Sequence, residues 1–318
     1  MKLKNKITFL LGAAFLCSLN ASAQKTTTDK ALIEDPSFSS MLRSLTADLD
    51  LNKDFDVGED GIEQLSFAVV DLNGKKPVLG SVNSTNFIYP ASVYKMYVAA
   101  EVLHQISEEK YFLTSPVIVH SPNDVDKSRE LDWDPRPLIK NGDTVSVAYL
   151  LDLMITRSDN SAANCLIDLA QRKNINAMLH SYGWEGSEVT RKFLSRKFED
   201  SDYVAVRGTE TCALHAADFM YKIETNQLVN PWVSMQMKSL LGRQLDTTKL
   251  STGLPNNAMF YHKTGWYAYW TNDVGIVDDG KIRYIISCFL PIEEDFARPK
   301  LRQLSAKVYD YFKKKYSK

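Results

Sequence analysis

Ser92 and Lys95 stand three residues apart in Tyr89-Pro90-Ala91-Ser92-Val93-Tyr94-Lys95-Met96, so on a helix they share one face about a turn apart. A serine hydroxyl is a poor nucleophile at neutral pH. A lysine one turn away, partly desolvated and near other positive groups, can lose its proton and take the hydroxyl's. Pro90 opens an apolar helical run through Leu103, and the helix N-terminus favours negative charge developing beside Ser92. The chemistry implied is acyl transfer through a serine ester. Taken alone the pair proves little, because Ser-x-x-Lys is more often incidental than catalytic. A second match, Ser107-Glu108-Glu109-Lys110, lies among charges at the far end of the same helix and reads as solvated surface.

Two later segments supply what such a reaction needs. In Ser158-Asp159-Asn160, Ser158 can relay a proton to a departing nitrogen, and Asn160 can hydrogen-bond both Lys95 and a substrate amide. Asp159 reads as a brace for the turn. In Lys263-Thr264-Gly265, Lys263 offers positive potential and Thr264 a hydroxyl for a substrate carboxylate, while Gly265 lets a substrate lie close to the strand. Each segment also has a plain structural reading: Ser158-Asp159-Asn160 can simply cap a helix, and Lys263-Thr264 can be an edge-strand charge beside a β-branched residue. Asn164 reads either as satisfied in the core or as a pin for a neighbouring loop. His262 adjoins Lys263 but points to the other face of a strand, so it reads as structural. Trp266, Tyr267, Tyr269 and Trp270 read as lining a groove or, in the alternative, as packed surface.

The elements that must position these residues follow from periodicity. Pro36 opens a helix with Phe38, Met41, Leu42, Leu45 and Leu49 on one side, after a polar, loose stretch from Gln24 to Glu34. Gln64–Val70 and Val78–Val82 read as strands around Asn73-Gly74. Residues 111–141 are loop-rich, and a helix is expected from Asp143 or Thr144 to Arg157. Helices follow over Ser161–Leu169, Asn174–Tyr182, Thr211–Ile223 and Pro231–Leu241, whereas 184–208 carries no clear period. Met259–Lys263, Asp273–Val277 and Lys281–Leu290 read as strands, before a final amphipathic helix carrying Leu301, Leu304, Val308 and Phe312. The order predicts an α+β fold: an antiparallel sheet built from both ends of the chain, flanked by N- and C-terminal helices, with an all-α lobe inserted. The α/β part covers about 30–88 and 257–318, and the helical part about 89–256.

The order and spacing of the three motifs carry more than any one of them. Sixty-six residues separate Ser92 from Ser158, and 105 separate Ser158 from Lys263. The chain thereby resembles class A β-lactamases and penicillin-binding proteins. Thr156 to Asn164, and Lys263-Thr264-Gly265 followed by Thr271-Asn272-Asp273-Val274, are similar to the same stretches of class A β-lactamases. The resemblance covers nearly the whole mature chain. It implies the β-lactamase/D,D-peptidase fold, Ser92 as nucleophile, and an oxyanion hole from the backbone N–H groups of Ser92 and Trp266. It implies a β-lactam or D-alanyl peptide-like substrate. One departure matters. Class A β-lactamases carry a deacylating glutamate after the second motif, at a position that falls near Lys192-Phe193-Leu194-Ser195-Arg196-Lys197, where there is no acid. Glu188 and Glu199 are the nearest glutamates. Without that base, acylation remains possible and hydrolysis of the acyl-enzyme should be slow. Trp266 replaces the small residue usual after the third motif, and the insertion around Asn123–Asn141, with Trp133, is expected to overhang the same mouth. β-Lactam hydrolysis, a peptidase or esterase activity, and a non-catalytic binding relative all stay open.

Composition excludes other classes. The chain has no basic stripe interleaved with aromatics, which argues against nucleic acid. Lys2, Lys4 and Lys6, an apolar Ile7–Leu19 and Ala21-Ser22-Ala23 read as an export signal cleaved after Ala23, leaving residues 24–318 exported to the periplasm or secreted. Loss of those three lysines takes the formal charge from −1 to −4. No segment is long enough to span a bilayer comfortably, and a monomer is expected. Cys165, Cys212 and Cys288 then form an odd set with no metal-site spacing, so at most one disulfide can form, mostly buried thiols are expected, and neither metal nor cofactor.

Overall fold

The computed structural model describes residues 32–126, 134–203 and 205–316. The export signal and Trp133 lie outside the described residues. Six strands form the main sheet in the order β1-β5-β4-β10-β9-β8. They are β1 (Ile33–Glu34), β4 (Ser66–Asp71), β5 (Val78–Val82), β8 (Met259–Tyr267), β9 (Trp270–Asp278) and β10 (Arg283–Leu290). All neighbours are antiparallel except β1 with β5. The sheet joins both ends of the chain, as the element order predicts. Two two-stranded ladders stand apart: β2 (Phe55–Asp56) with β3 (Ile62–Glu63), and β6 (Pro116–Ile118) with β7 (Thr144–Ser146).

The period-2 rule shows why the sheet is covered on both faces. In β10, Tyr284, Ile286, Cys288 and Leu290 join a core with Phe38 and Leu42 of α1 (Pro36–Asp48) and Leu301, Val308 and Phe312 of α8 (Glu294–Tyr316). Their neighbours Ile285 and Phe289 belong to a second core under the helical lobe. That lobe is built round α2 (Lys95–Ser107), buried over most of its circumference by α4 (Asn160–Ala170), α5 (Arg172–Ser181) and α7 (Pro231–Leu241). The other lobe helices are α3 (Val147–Asp152) and α6 (Ala213–Glu224). Among the described residues no helix is long and apolar enough to cross a membrane. Cys165, Cys212 and Cys288 are all buried free thiols.

Three local expectations are corrected. Ile33–Glu34 is not loose but pairs with Val78–Leu79, a two-residue strand too short to leave a period. The helix expected at Asp143 or Thr144 begins instead at Val147. Residues 144–146 are taken by the ladder with 116–118, and Ser146 Oγ caps the helix by accepting from Tyr149 N–H at 3.2 Å. Strand β8 runs four residues past the expected Lys263, to Tyr267.

His215 gives the fold a measurable pH response. Its Nδ1 lies 2.8 Å from Ser187 Oγ and its ring meets Phe87 edge-on. Burial lowers its pKa from 6.5 to about 4, only partly opposed by Glu185. Between those values the unfolded chain binds a proton that the folded chain refuses, so stability falls as pH drops through that window. Discounted for its partial exposure, the loss between pH 7 and 5 is about 1 kcal/mol. Thermal melts should therefore show a larger fall in Tm over that interval for wild type than for His215→Gln; equal falls would refute the assignment.

Candidate active site

The three motifs converge on one cavity of about 700 Å³, lined by Ser92, Ser158, Asn160, Thr264, Gly265 and Trp266 among others. Ser92 lies not in an α-helix but in a 3₁₀ turn, Ala91–Tyr94, that runs into α2 at Lys95. The turn opens on Ala91 at φ +46°, a left-handed conformation costly for a residue with a Cβ. Edge strand β8 clamps it. A Cβ on Gly265 would lie 2.6 Å from Pro90 O and 2.8 Å from Ser92 N. Glycine is thus required first for the contact between strand and turn, a reason different from the close substrate approach expected for it.

Lys95 is fully buried, and its Nζ donates to Ser158 O (2.6 Å), Asn160 Oδ1 (2.7 Å) and Ser158 Oγ (3.3 Å). Lys263, equally buried, donates to the same Ser158 Oγ (3.0 Å) and to Thr264 O (2.7 Å). It stands behind the cavity wall rather than on it, so its charge acts through Ser158 and Thr264. A hydroxyl has two acceptor lone pairs and one proton to give. With both lysines on its lone pairs, the Ser158 O–H is left to point elsewhere, and Ser158 lines the cavity. Its backbone, at φ +62°, closes the π-helical turn Leu153–Arg157 before α4. Asp159 caps α4, accepting from Ala162 N–H at 2.8 Å, and pairs with Arg157. It is the expected brace.

Two determinants escaped the sequence reading. Asp126 accepts from Asn160 N (2.6 Å) and from Nδ2 (3.2 Å), which turns Asn160 Oδ1 toward Lys95 and leaves one amide hydrogen for a ligand. No motif marks it; only its contact across 34 residues does. The second is Phe193. Its ring stacks on Tyr94 at 4.8 Å, lies 4.1 Å from Lys95 Nζ and lines the cavity. Its backbone N–H donates to Asn164 Oδ1 at 2.8 Å, and Asn164 Nδ2 donates back to Phe193 O at 3.4 Å. Asn164 is therefore both buried and the pin of this loop.

The acids nearest in sequence do not replace the missing carboxylate. Glu199 is buried against Arg172 and accepts from Lys192 N–H, while Glu188 pairs with Arg207 and His180. Among the described residues the cavity-lining acids are Asp246 and Glu294, both bonded to the buried Lys249 at 2.6 and 2.7 Å. Burial pushes Asp246 up, but Lys249 and Thr248 outweigh it and hold the group well below the usual carboxylate range. His262 is structural, as expected, bonded to Asp273 at 2.8 Å and stacked on Phe260. Of the four aromatics, Trp266 and Tyr267 line the cavity; Tyr269 and Trp270 do not.

A family model described as the beta-lactamase enzyme family matches residues 50–312. The chain belongs to that family. It is a serine hydrolase of the class A β-lactamase kind. Over 241 residues it is 27% identical to the extended-spectrum β-lactamase PER-1 of Pseudomonas aeruginosa, spanning 71% of this chain and 76% of that one. Among solved structures it is similar to PBP-A, with a TM-score of 0.70 at 20% identity over 88% of this chain and 97% of that one. A β-lactamase from Sphaerobacter thermophilus gives a TM-score of 0.70 at 15% identity over 86% and 97%. These likenesses bear out the sheet with its inserted helical lobe.

Proposed function

We propose that this protein is an exported serine hydrolase that opens a β-lactam, or a D-alanyl amide of the same shape, through an ester at Ser92, and that it releases the β-lactam ester slowly. In this reading Lys95 reacts as the neutral amine, keeping its two short bonds to Ser158 O and Asn160 Oδ1 and giving up the 3.3 Å contact with Ser158 Oγ, so that Ser92 Oγ attacks the carbonyl and passes its proton to the nitrogen lone pair of Lys95. The oxyanion forms against the backbone N–H groups of Ser92 and Trp266. The C–N bond breaks, and the Ser158 hydroxyl protonates the departing nitrogen, recovering a proton from Lys95. Thr264 holds the substrate carboxylate, with the charge of Lys263 behind it, and Asn160 the side-chain amide.

The observation that carries slow release is Phe193. An aromatic ring occupies the cavity wall beside Lys95, in the loop where a class A enzyme carries its base. Water is a weak nucleophile and needs such a base, whereas an amine does not need one to the same degree. That difference favours acyl transfer to an amine over hydrolysis by water. A point mutant of the PBP-A relative has itself been solved as an acyl-enzyme complex with penicillin G. The test is intact-protein mass spectrometry after mixing with a chromogenic cephalosporin, beside a colour assay. A lasting adduct that maps to the Ser92 peptide, with little colour, is expected. Rapid colour without an adduct would make the protein an efficient β-lactamase, and neither signal would leave a binding relative.

A further inference from the structure

The insertion over residues 123–141 grips the second motif at both of its ends. On one side Asp126 accepts from the backbone and the side-chain amide of Asn160. On the other, residues 134–137 meet the π-helical turn Leu153–Arg157 that delivers Ser158. Arg136 donates to Asp134 through Nε (2.8 Å) and Nη2 (2.7 Å), and so oriented it reaches Thr156 Oγ1 (3.1 Å) and Asp152. The buried Arg157 donates to Arg136 O (2.7 Å) and Asp159 Oδ2 (2.8 Å), with Asp134 Oδ2 3.5 Å away. Arg136 holds the Asp134 carboxyl below its usual range, so these charges persist at neutral pH.

The turn they meet is one that local propensity does not favour. Single π-helical turns are rare, and Ser158 at φ +62° is costly for a residue with a Cβ. Such a backbone persists only where its surroundings over-determine it. Gln244 Nε2 holds Ile155 O (3.0 Å) and Leu245 N–H holds Thr156 O (2.9 Å), which fixes two carbonyls of the turn. The ion pairs of 134–137 fix its side chains, at Thr156 and Arg157. The direction of the Ser158 O–H follows from where the turn places its Cα and from Lys263 behind it. A shift of a fraction of an ångström would misdirect that proton, whereas Ser92, pressed by Gly265 of β8, would still be placed to attack.

We propose that Asp134 and Arg136 are positioning residues for proton delivery, holding the turn so that the Ser158 hydroxyl faces the departing nitrogen. The inference rests on Ser158 as the proton donor, and the test separates the two. Second-order rates of adduct formation at Ser92 are measured for benzylpenicillin and for the chromogenic cephalosporin. The departing nitrogen of the penicillin is a saturated amine that needs a proton, whereas that of the cephalosporin is conjugated with its dye and needs one less. Asp134→Asn is expected to slow the penicillin about tenfold and the cephalosporin less than about twofold. Ser158→Ala should show the same bias more strongly, and Asp134→Asn should add little to it. Asp134→Glu should restore most of the penicillin rate. Arg136→Lys, which keeps the charge and gives up the fork, replaces Asp134→Asn where that variant does not fold, with the same bias expected. A bias in Ser158→Ala but equal losses, or none, on the two compounds in Asp134→Asn or Arg136→Lys would overturn the positioning role alone. Ser158→Ala without the bias, or no adduct from either compound with wild type, would overturn the proton-donor reading and the inference together.

Discussion

Phe193→Glu should shorten the lifetime of the β-lactam acyl-enzyme by about 10²–10⁴-fold, the usual worth of a positioned general base. The backbone at this position is pinned from both sides by Asn164, so the loop need not move to accept the new side chain. The phenyl ring already lies 4.1 Å from Lys95 Nζ and on the wall of the cavity that contains Ser92. A carboxylate there would reach a water beside the ester and lie close to the Lys95 amine. The substitution also removes the Tyr94 stack and part-buries a charge, so a stability loss of about 1–3 kcal/mol is expected with it. Phe193→Gln separates the causes, because it makes the same packing change without a base. Time-resolved mass spectrometry should show rapid ester loss in Phe193→Glu and persistence in Phe193→Gln. Release from both variants at the wild-type rate would mean that the missing carboxylate does not limit turnover.

Lys95→Met should slow acylation of Ser92 by about 10²–10⁴-fold. The methionine keeps the length and bulk of the stem while removing the group that, in the proposed mechanism, receives the hydroxyl proton. It also strands Asn160 Oδ1 and the Ser158 carbonyl, which accept from Nζ at 2.7 and 2.6 Å. Leaving such acceptors unpaired in a buried place costs about 1–3 kcal/mol, so stability should drop as well. The rate of adduct formation in stopped-flow or quenched mass spectrometry gives the answer. Folded Lys95→Met that acylates at nearly the wild-type rate would remove Lys95 as the base and turn attention to Lys263, which shares Ser158 Oγ.

How much of this was legible beforehand depended on the range of the interaction. Pro231–Leu241 and Val78–Val82 were expected with the bounds they have, because proline and the apolar period are local signals. The 3₁₀ turn at Ser92 was not, since its form is imposed by a strand far along the chain whose glycine leaves room for nothing else. Asp126 was invisible for the same reason: one aspartate in a proline-rich insertion has no pattern, and its worth lies in facing Asn160. The basic stretch Lys192–Lys197 announced the absent glutamate, but not that an aromatic ring had taken the place beside Lys95.

The residue types and their spacing determined the serine-hydrolase family and the sheet with its inserted helical lobe, because the identity and order of residues along the chain are what a sequence carries directly. Tertiary structure alone decided which lone pairs of Ser158 are occupied, which way Asn160 faces and what fills the space beside Lys95. Those depend on contacts of a few ångströms between segments that no local propensity brings together.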